Sequence, residues 1–271
     1  MGEHYPMLLP HSKSESLAEA CALAVMAKAP RIGDVKTRLV PPLDPAQAAG
    51  LNICFLRDMT TLIADLGPPS PACRVDGFVA YTPVGAEEMF DALLPNGFGL
   101  LSQRGANLGE RLFHAADDFL KAGYGAMCLI NSDSPTLPRS VLEEAVKALQ
   151  LPGDRVVLGP ADDGGYYLIG LKKAHPQLFA DIEWSTEKVL AQTLERAAQV
   201  ELEVVLLPAW YDVDDGNSLD RLCDELFGAQ PAGPATTPCG YHAPHTRAYL
   251  TQLNIESNGR ARRQAAGEPG L

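Results

Sequence analysis

The chain contains no CxxC pair and no regularly spaced cysteine framework. Its six cysteines are Cys21, Cys54, Cys73, Cys128, Cys223 and Cys239. Three of them, Cys21, Cys54 and Cys128, sit inside apolar segments, where cysteine serves as a small core residue. A disulfide scaffold is therefore not expected, and a reduced, cytoplasmic setting is. No apolar run reaches the roughly 18 residues needed to cross a bilayer. The opening stretch MGEHYPMLLPHSKSESLAEA lacks a charged start followed by a long apolar segment, so no signal peptide is expected. Basic charge is scarce: 22 Lys and Arg stand against 34 Asp and Glu, for a net charge of −12. With no basic stripe, the chain is not expected to grip the phosphate backbone of a nucleic acid polymer. It also lacks a Walker A loop, a GxGxxG fingerprint and any internal repeat.

What is present reads as a large α/β unit. The 271 residues are 46% hydrophobic, enough for a sizeable core. Strand-like runs at 22–28, 75–81, 98–103, 126–130, 155–160, 166–171 and 202–208 alternate with helical stretches. In the helix expected over 45–66, Ile53, Leu56, Thr60 and Ile63 share a face. In the one over 107–123, Leu108, Leu112, Ala115 and Phe119 do, with Gly123 closing it. Alternation of this kind predicts parallel strands joined by crossover helices, a doubly wound sheet. From about Gly228 the composition shifts to Pro, Gly, Ala and Thr, which reads partly as a tail. Within it TRAYLTQLNI has the pattern of one docked helix. Cys239, His242 and His245 lie close together there, but lack the fourth ligand that a zinc site requires.

Ligands of doubly wound sheets sit beyond the carboxyl ends of the strands, and four stretches fall there. KAPRIGDVKTRL concentrates Lys28, Arg31, Lys36 and Arg38 around Gly33 in an otherwise acidic chain. It reads as an anion site suited to phosphates or as a solvated basic loop. NSDSPTLP presents Asp133 just past a buried strand, either toward a cleft or as a turn acid. GPADDGGYYLIGL places Asp163 beside Gly164 and Gly165. Asp163 is a candidate general base or hydroxyl-binding group, and Asp-Gly is also a strong turn signal. YDVDDGNSL carries Asp212 and Asp214 two apart, so an extended backbone aims both the same way. They are hard ligands for Mg2+ or Mn2+, or else solvated acids ahead of a helix capped by Asn217 or Ser218. Gln103 and Arg111 are candidates for base or phosphate contacts. In EWSTEKVL, Ser185 or Thr186 is a suitable N-cap, and Trp184 suits core packing or stacking on a sugar.

KAPRIGDVKTRL, NLGERL, NSDSPTLP, GPADDGGYYLIGL, WSTEKVL and DVDDGNSLDRL occur in one order across Ala22–Leu226. In this the chain resembles a bacterial glycosyltransferase-like family, variously described as arsenosugar biosynthesis glycosyltransferases or radical-SAM/selenodomain-associated transferases. That family lies within the GT-A nucleotide-diphospho-sugar transferase superfamily. The resemblance implies a three-layer α/β/α GT-A domain over 17–228 with a mostly parallel sheet, followed by a C-terminal extension over 229–271. It implies a metal-dependent glycosyltransferase that takes a nucleoside-diphosphate sugar and a small-molecule acceptor. Lys28, Lys36 and Arg38 would hold donor phosphates, Asp133 and Asp214 a Mg2+ or Mn2+ ion, and Asp163, Gly164 and Gly165 the acceptor side. A nucleotidylyltransferase that uses an NTP and a phosphorylated acceptor is the alternative within the same fold. Two departures stand out. Ile32 replaces a usual proline, and Asp215, Gly216, Asn217 and Ser218 replace the usual end of the last motif.

Overall fold

The computed structural model describes residues 17–66, 74–228 and 239–255. Cys73, the leader before Leu17 and much of the 229–271 extension lie outside them. Seven strands form one sheet: β1 Ala20–Lys28, β2 Arg74–Thr82, β3 Gly99–Ser102, β4 Ala126–Asn131, β5 Arg155–Pro160, β6 Tyr166–Leu171 and β7 Glu203–Leu206. The helices are α1 Pro45–Ala64, α2 Glu88–Asp91, α3 Leu108–Ala122, α4 Arg139–Gln150, α5 Val189–Gln199, α6 Gly216–Phe227 and α7 Pro244–Gln252. The strand order is β3-β2-β1-β4-β6-β5-β7.

Six strands run the same way, and β6 is antiparallel to both β4 and β5. The sheet is thus mostly parallel, as the resemblance implies, with β6 the one exception. The ADDGG stretch is too short for a crossover and closes β5 and β6 into a hairpin. The order reverses between β1 and β4, since the chain moves outward through β2 and β3 before returning. That switch point is where a doubly wound sheet opens a crevice at its strand ends.

Both faces of the sheet are covered, so its central strands are apolar on both sides, while the edge strand β7 stays partly exposed. Leu23 and Val25 point into a core shared with α1, α4, α6 and α7. Ala20, Ala22 and Ala24 point into the other, against α3 and α5. The architecture is a three-layer, mostly parallel α/β sandwich of GT-A-like form. On α1 the buried positions extend well beyond the one face read from periodicity, and Ile53 is only half-buried. The reason is α7, which packs across the outside of α1. Buried Asp58 of α1 accepts from the backbone N–H of His245 and Thr246, 2.9 and 2.8 Å away, and so satisfies two orphan donors of α7.

Helix ends follow local chemistry in most places. Asn107 caps α3 by accepting from Glu110 N at 2.9 Å, and Gly123 ends it with φ 108°. The α2 helix is a single turn of four residues. Two details depart from the reading above. Asp215, rather than Asn217 or Ser218, caps α6. The α5 helix starts after Lys188, and Ser185 adopts φ 64°, so neither Ser185 nor Thr186 is its N-cap. Thr186 instead donates to Glu183 O at 2.7 Å and ties the preceding turn.

Candidate active site

The segments after β1, β4, the β5–β6 hairpin and β7 meet at the switch point. Val213 N donates to Asp133 O at 2.8 Å, which joins the segment after β7 to the loop after β4. Asp162 N donates to Trp210 O at 3.0 Å, which brings in the hairpin. Two adjoining cavities result. One, of about 370 Å³, is lined by Lys28, Lys36, Arg38, Gln103, Arg111 and Asp133, among others. The second, of about 510 Å³, is lined by Asp163, Gly165, Tyr166, Trp184, Asp212 and further apolar residues. Arg38, Asp133, Asp214, Met26 and Leu108 line both. Volumes of this size suit small-molecule ligands.

Lys36 is the hub. Its backbone is left-handed, φ 50°, and its side chain is buried. The ammonium donates to Val213 O, Asp133 Oδ1 and Asp214 Oδ1, each 2.8 Å away. All three of its N–H bonds are thereby used. Burial works to strip its proton, but Asp133 and Asp214 outweigh burial and hold the pKa above the ordinary value. Asp214 has both oxygens engaged, the second by Arg38 Nη2 at 2.6 Å. Burial opposes its charge as well, yet Lys36 and Arg38 pull its pKa below the usual carboxylate value.

Asp133 differs. Lys36 and Ser132 Oγ, at 2.8 and 2.9 Å, both address Oδ1 of this residue, which lines both cavities. Asp212 is pushed up to about 6, first by burial and then by the charges of Asp214, Asp163 and Asp133. From the sequence Asp212 and Asp214 are alike candidate hard ligands, and only the resemblance singles out Asp214. The burial of Asp212 beside three other carboxylates marks it as a functional candidate. The signal available beforehand was the Asp-x-Asp spacing on an extended segment.

The remaining candidates sort into contacts and supports. Arg38 and Arg111 reach the first cavity. Arg111 gives only Nε to Gly105 O, at 3.3 Å, and the guanidinium end of Arg38 is largely exposed apart from Asp214. Lys28 braces its own loop by donating to Asp34 O at 2.9 Å. Gln103 spends its amide N–H bonds on Ala80 O and Ala27 O, at 2.7 and 3.4 Å, which fixes its carbonyl end. Asp163 accepts from Gly165 N at 2.8 Å and forms no ion pair among the described residues. Gly164 lines neither cavity. At φ 88° it packs on the backbone of Glu187, where a Cβ would come within 2.2 Å of the carbonyl oxygen. Trp184 is half-buried, pressed against Gly109 of α3 and edge-on to Tyr166 at 6.4 Å. It packs on the core and forms a cavity wall at once.

Among the described residues, no three His, Cys, Asp or Glu side chains converge into a ready-made metal cage. The donor chemistry nonetheless fits a hard cation. Asp133 has a spare oxygen, and Asp212 is crowded by like charge. Mg2+ characteristically takes one or two carboxylates, keeps waters, and completes its shell with substrate phosphates.

The family model described as "Uncharacterized protein conserved in bacteria (DUF2064)" matches residues 71–186. A solved protein from Desulfovibrio desulfuricans G20, provisionally named a nucleotide-diphospho-sugar transferase, is 32% identical over 88% of this chain and 96% of that one, with a TM-score of 0.73. The chain belongs to this DUF2064, GT-A-like family. Beyond the family, likenesses thin out. A CMP-2-keto-3-deoxy-manno-octonic acid synthetase complexed with CTP is 12% identical over 74% of this chain and 96% of its own, with a TM-score of 0.48. A cytidylyltransferase from Leptospira borgpetersenii serovar Hardjo-bovis is 11% identical over 87% and 95%, also at 0.48. At that distance they carry nothing about the substrates of the DUF2064 protein. None of the curated proteins matches it.

Proposed function

We propose that this DUF2064 protein is a metal-dependent glycosyltransferase, moving a sugar from a nucleoside-diphosphate donor to a small-molecule alcohol. The observation that carries the reading is the pairing of two cavities at the switch point, one cationic and one acidic, with Asp133 and Arg38 on their shared rim. The donor phosphates lie in the first cavity against Arg38, Arg111 and Lys28, where charge-assisted bonds to phosphate are strong. Lys36, with every N–H used, holds Asp133 and Asp214 in place rather than reaching the phosphates itself. The sugar projects across the rim into the second cavity.

There the acceptor hydroxyl attacks the anomeric carbon, and Asp163 takes its proton. The anomeric C–O bond breaks, and its electron pair leaves on the diphosphate oxygen. Arg38 and Arg111 offset the developing charge. Asp133, assisted by Asp212 in place of the fully paired Asp214, would hold the Mg2+ or Mn2+. When bound, that ion supplies electrostatic stabilisation of the departing diphosphate.

A second reading is a nucleotidylyltransferase. It is favoured by acids arriving from two separate elements, Asp133 after β4 and Asp212 after β7, an arrangement suited to in-line displacement at phosphorus. The product decides. The protein is incubated with Mg2+ or Mn2+, nucleotide sugars or NTPs, and a panel of alcohols and sugar phosphates. Nucleoside diphosphate release supports glycosyl transfer, and pyrophosphate release overturns it in favour of the second reading. Donor binding is read separately from the melting temperature, since a ligand at a hundredfold excess over its Kd adds about 2.7 kcal/mol to stability. Asp163→Asn should keep that donor shift and lose transfer, whereas Asp133→Asn should lose the metal-dependent part of the shift.

A further inference from the structure

The two cavities differ in charge in a way that bears on what enters each. The first is lined by four cationic side chains, Lys28, Lys36, Arg38 and Arg111, and three acids. The second is lined by five acids, Asp133, Asp163, Glu187, Asp212 and Asp214, and a single cation, Arg38. That cation is already paired with Asp214 at 2.6 Å. Asp163 and Glu187 form no ion pair among the described residues. A divalent ion on Asp133 and Asp212 would leave both of those charges facing the cavity, and would add no side-chain cation to it. The same cavity is also lined by apolar and aromatic residues, among them Leu112, Leu129, Ile169, Tyr166 and Trp184. This lining is rigid. Trp184 is wedged against Gly109, where a Cβ would lie 2.4 Å from the indole nitrogen, and Tyr166 and Ile169 belong to β6.

From this juxtaposition we infer that the second cavity takes a hydroxyl-bearing acceptor with one apolar face and no anionic group, and favours one carrying a protonated amine. The inference rests on the glycosyltransferase reading and narrows its acceptor class. The physical reason is selection by repulsion. A phosphate or carboxylate entering the cavity meets the unpaired charges of Asp163 and Glu187, while its one side-chain cation, Arg38, is already held by Asp214. A neutral sugar-like or aryl alcohol lays its apolar face on Trp184 and Tyr166 and turns its hydroxyls to the carboxylates. An ammonium group gains attraction from Asp163 and Glu187.

The test uses three matched probes: phenyl β-glucoside, its 6-phosphate and its 6-amino-6-deoxy analogue. Binding is followed by the emission of Trp184 in the full chain saturated with nucleoside diphosphate and Mg2+, with Trp184→Phe as the blank. The expected order of affinity is amino first, neutral next and phosphate last, with the phosphate at least tenfold weaker than the neutral probe. Glu187→Lys, at the exposed edge of the cavity, should narrow that gap several-fold. Equal or tighter binding of the phosphate, or no response to any of the three, overturns the inference. Failure of the underlying reading looks different. In that case the affinity order holds, but no nucleotide sugar releases nucleoside diphosphate with any probe.

Discussion

Replacing Lys36 by Met removes one buried ammonium and keeps most of its bulk. Asp133 and Asp214 would then face each other without the charge that lies 2.8 Å from both, and Val213 O would lose its donor. Breaking a buried ion pair by deleting one partner typically costs about 3–5 kcal/mol. Here the acids retain roughly a third of their exposure and can rehydrate in part, so about 2–3 kcal/mol is expected. For a chain of this size that is a fall in Tm of roughly 5–10 °C at pH 7. The pH dependence carries a second signature. Lys36 has a raised pKa, so its contribution is full below the unfolded lysine value and is lost as pH climbs through the folded one. Asp214 has a lowered pKa, so its contribution is full above the unfolded carboxylate value and is lost as pH falls through the folded one. The parent should therefore be steady between about pH 4 and 10 as far as this triad is concerned. In Lys36→Met, Asp133 loses its cation and Asp214 keeps only Arg38, so both gain from protonation and the deficit should shrink as pH drops from 7 toward 4. Thermal melts across that range, paired with nucleotide titrations, read both effects. A variant that melts within about 1 °C of the parent at pH 7 and loses only nucleotide affinity would refute the argument. Lys36 would then be a phosphate ligand and not the organiser of the acids.

Asp212, with its pKa raised to about 6, destabilises the fold when charged, and that cost fades as pH falls below 6 toward the unfolded value. In chelator, Asp212→Asn should be more stable than the parent by about 1–2 kcal/mol at pH 8 and equal to it near pH 4; added Mg2+ should stabilise the parent and not the variant. Gly164→Ala should cost about 2–4 kcal/mol, because φ 88° is strained for alanine and the Cβ would strike the Glu187 backbone. Gly33→Ala, at φ 82° with nothing within 4 Å, should cost only the conformational part, about 1–2 kcal/mol. Denaturant melts of the two variants side by side isolate the steric contact, and equal losses would remove it.

Much of the frame was legible before any coordinates. Asn107 and Gly123 bracket α3 because an accepting side chain and a left-handed glycine are local requirements of helix ends. Asp133 could be placed at a strand end because an apolar run followed by Ser-Asp-Ser-Pro must leave the sheet there. The reversed direction of β6 was harder, since ADDGG serves a hairpin and a ligand loop equally well. The ion pairing of Lys36 was not legible at all. A basic residue near a strand end reads as a phosphate contact, and its three actual partners include groups 177 and 178 residues away. The opposite shifts of Asp212, raised, and Asp214, lowered, were hidden for the same reason, because two acids spaced alike on one strand-like segment differ only in what the fold sets beside them. Helix caps, turns and apolar periods are set by interactions across a few residues, so they are written in the chain. The charge state of a carboxylate is set by burial and by charges within several ångströms, and only packing the segments after β1, β4 and β7 into one crevice brings those charges together.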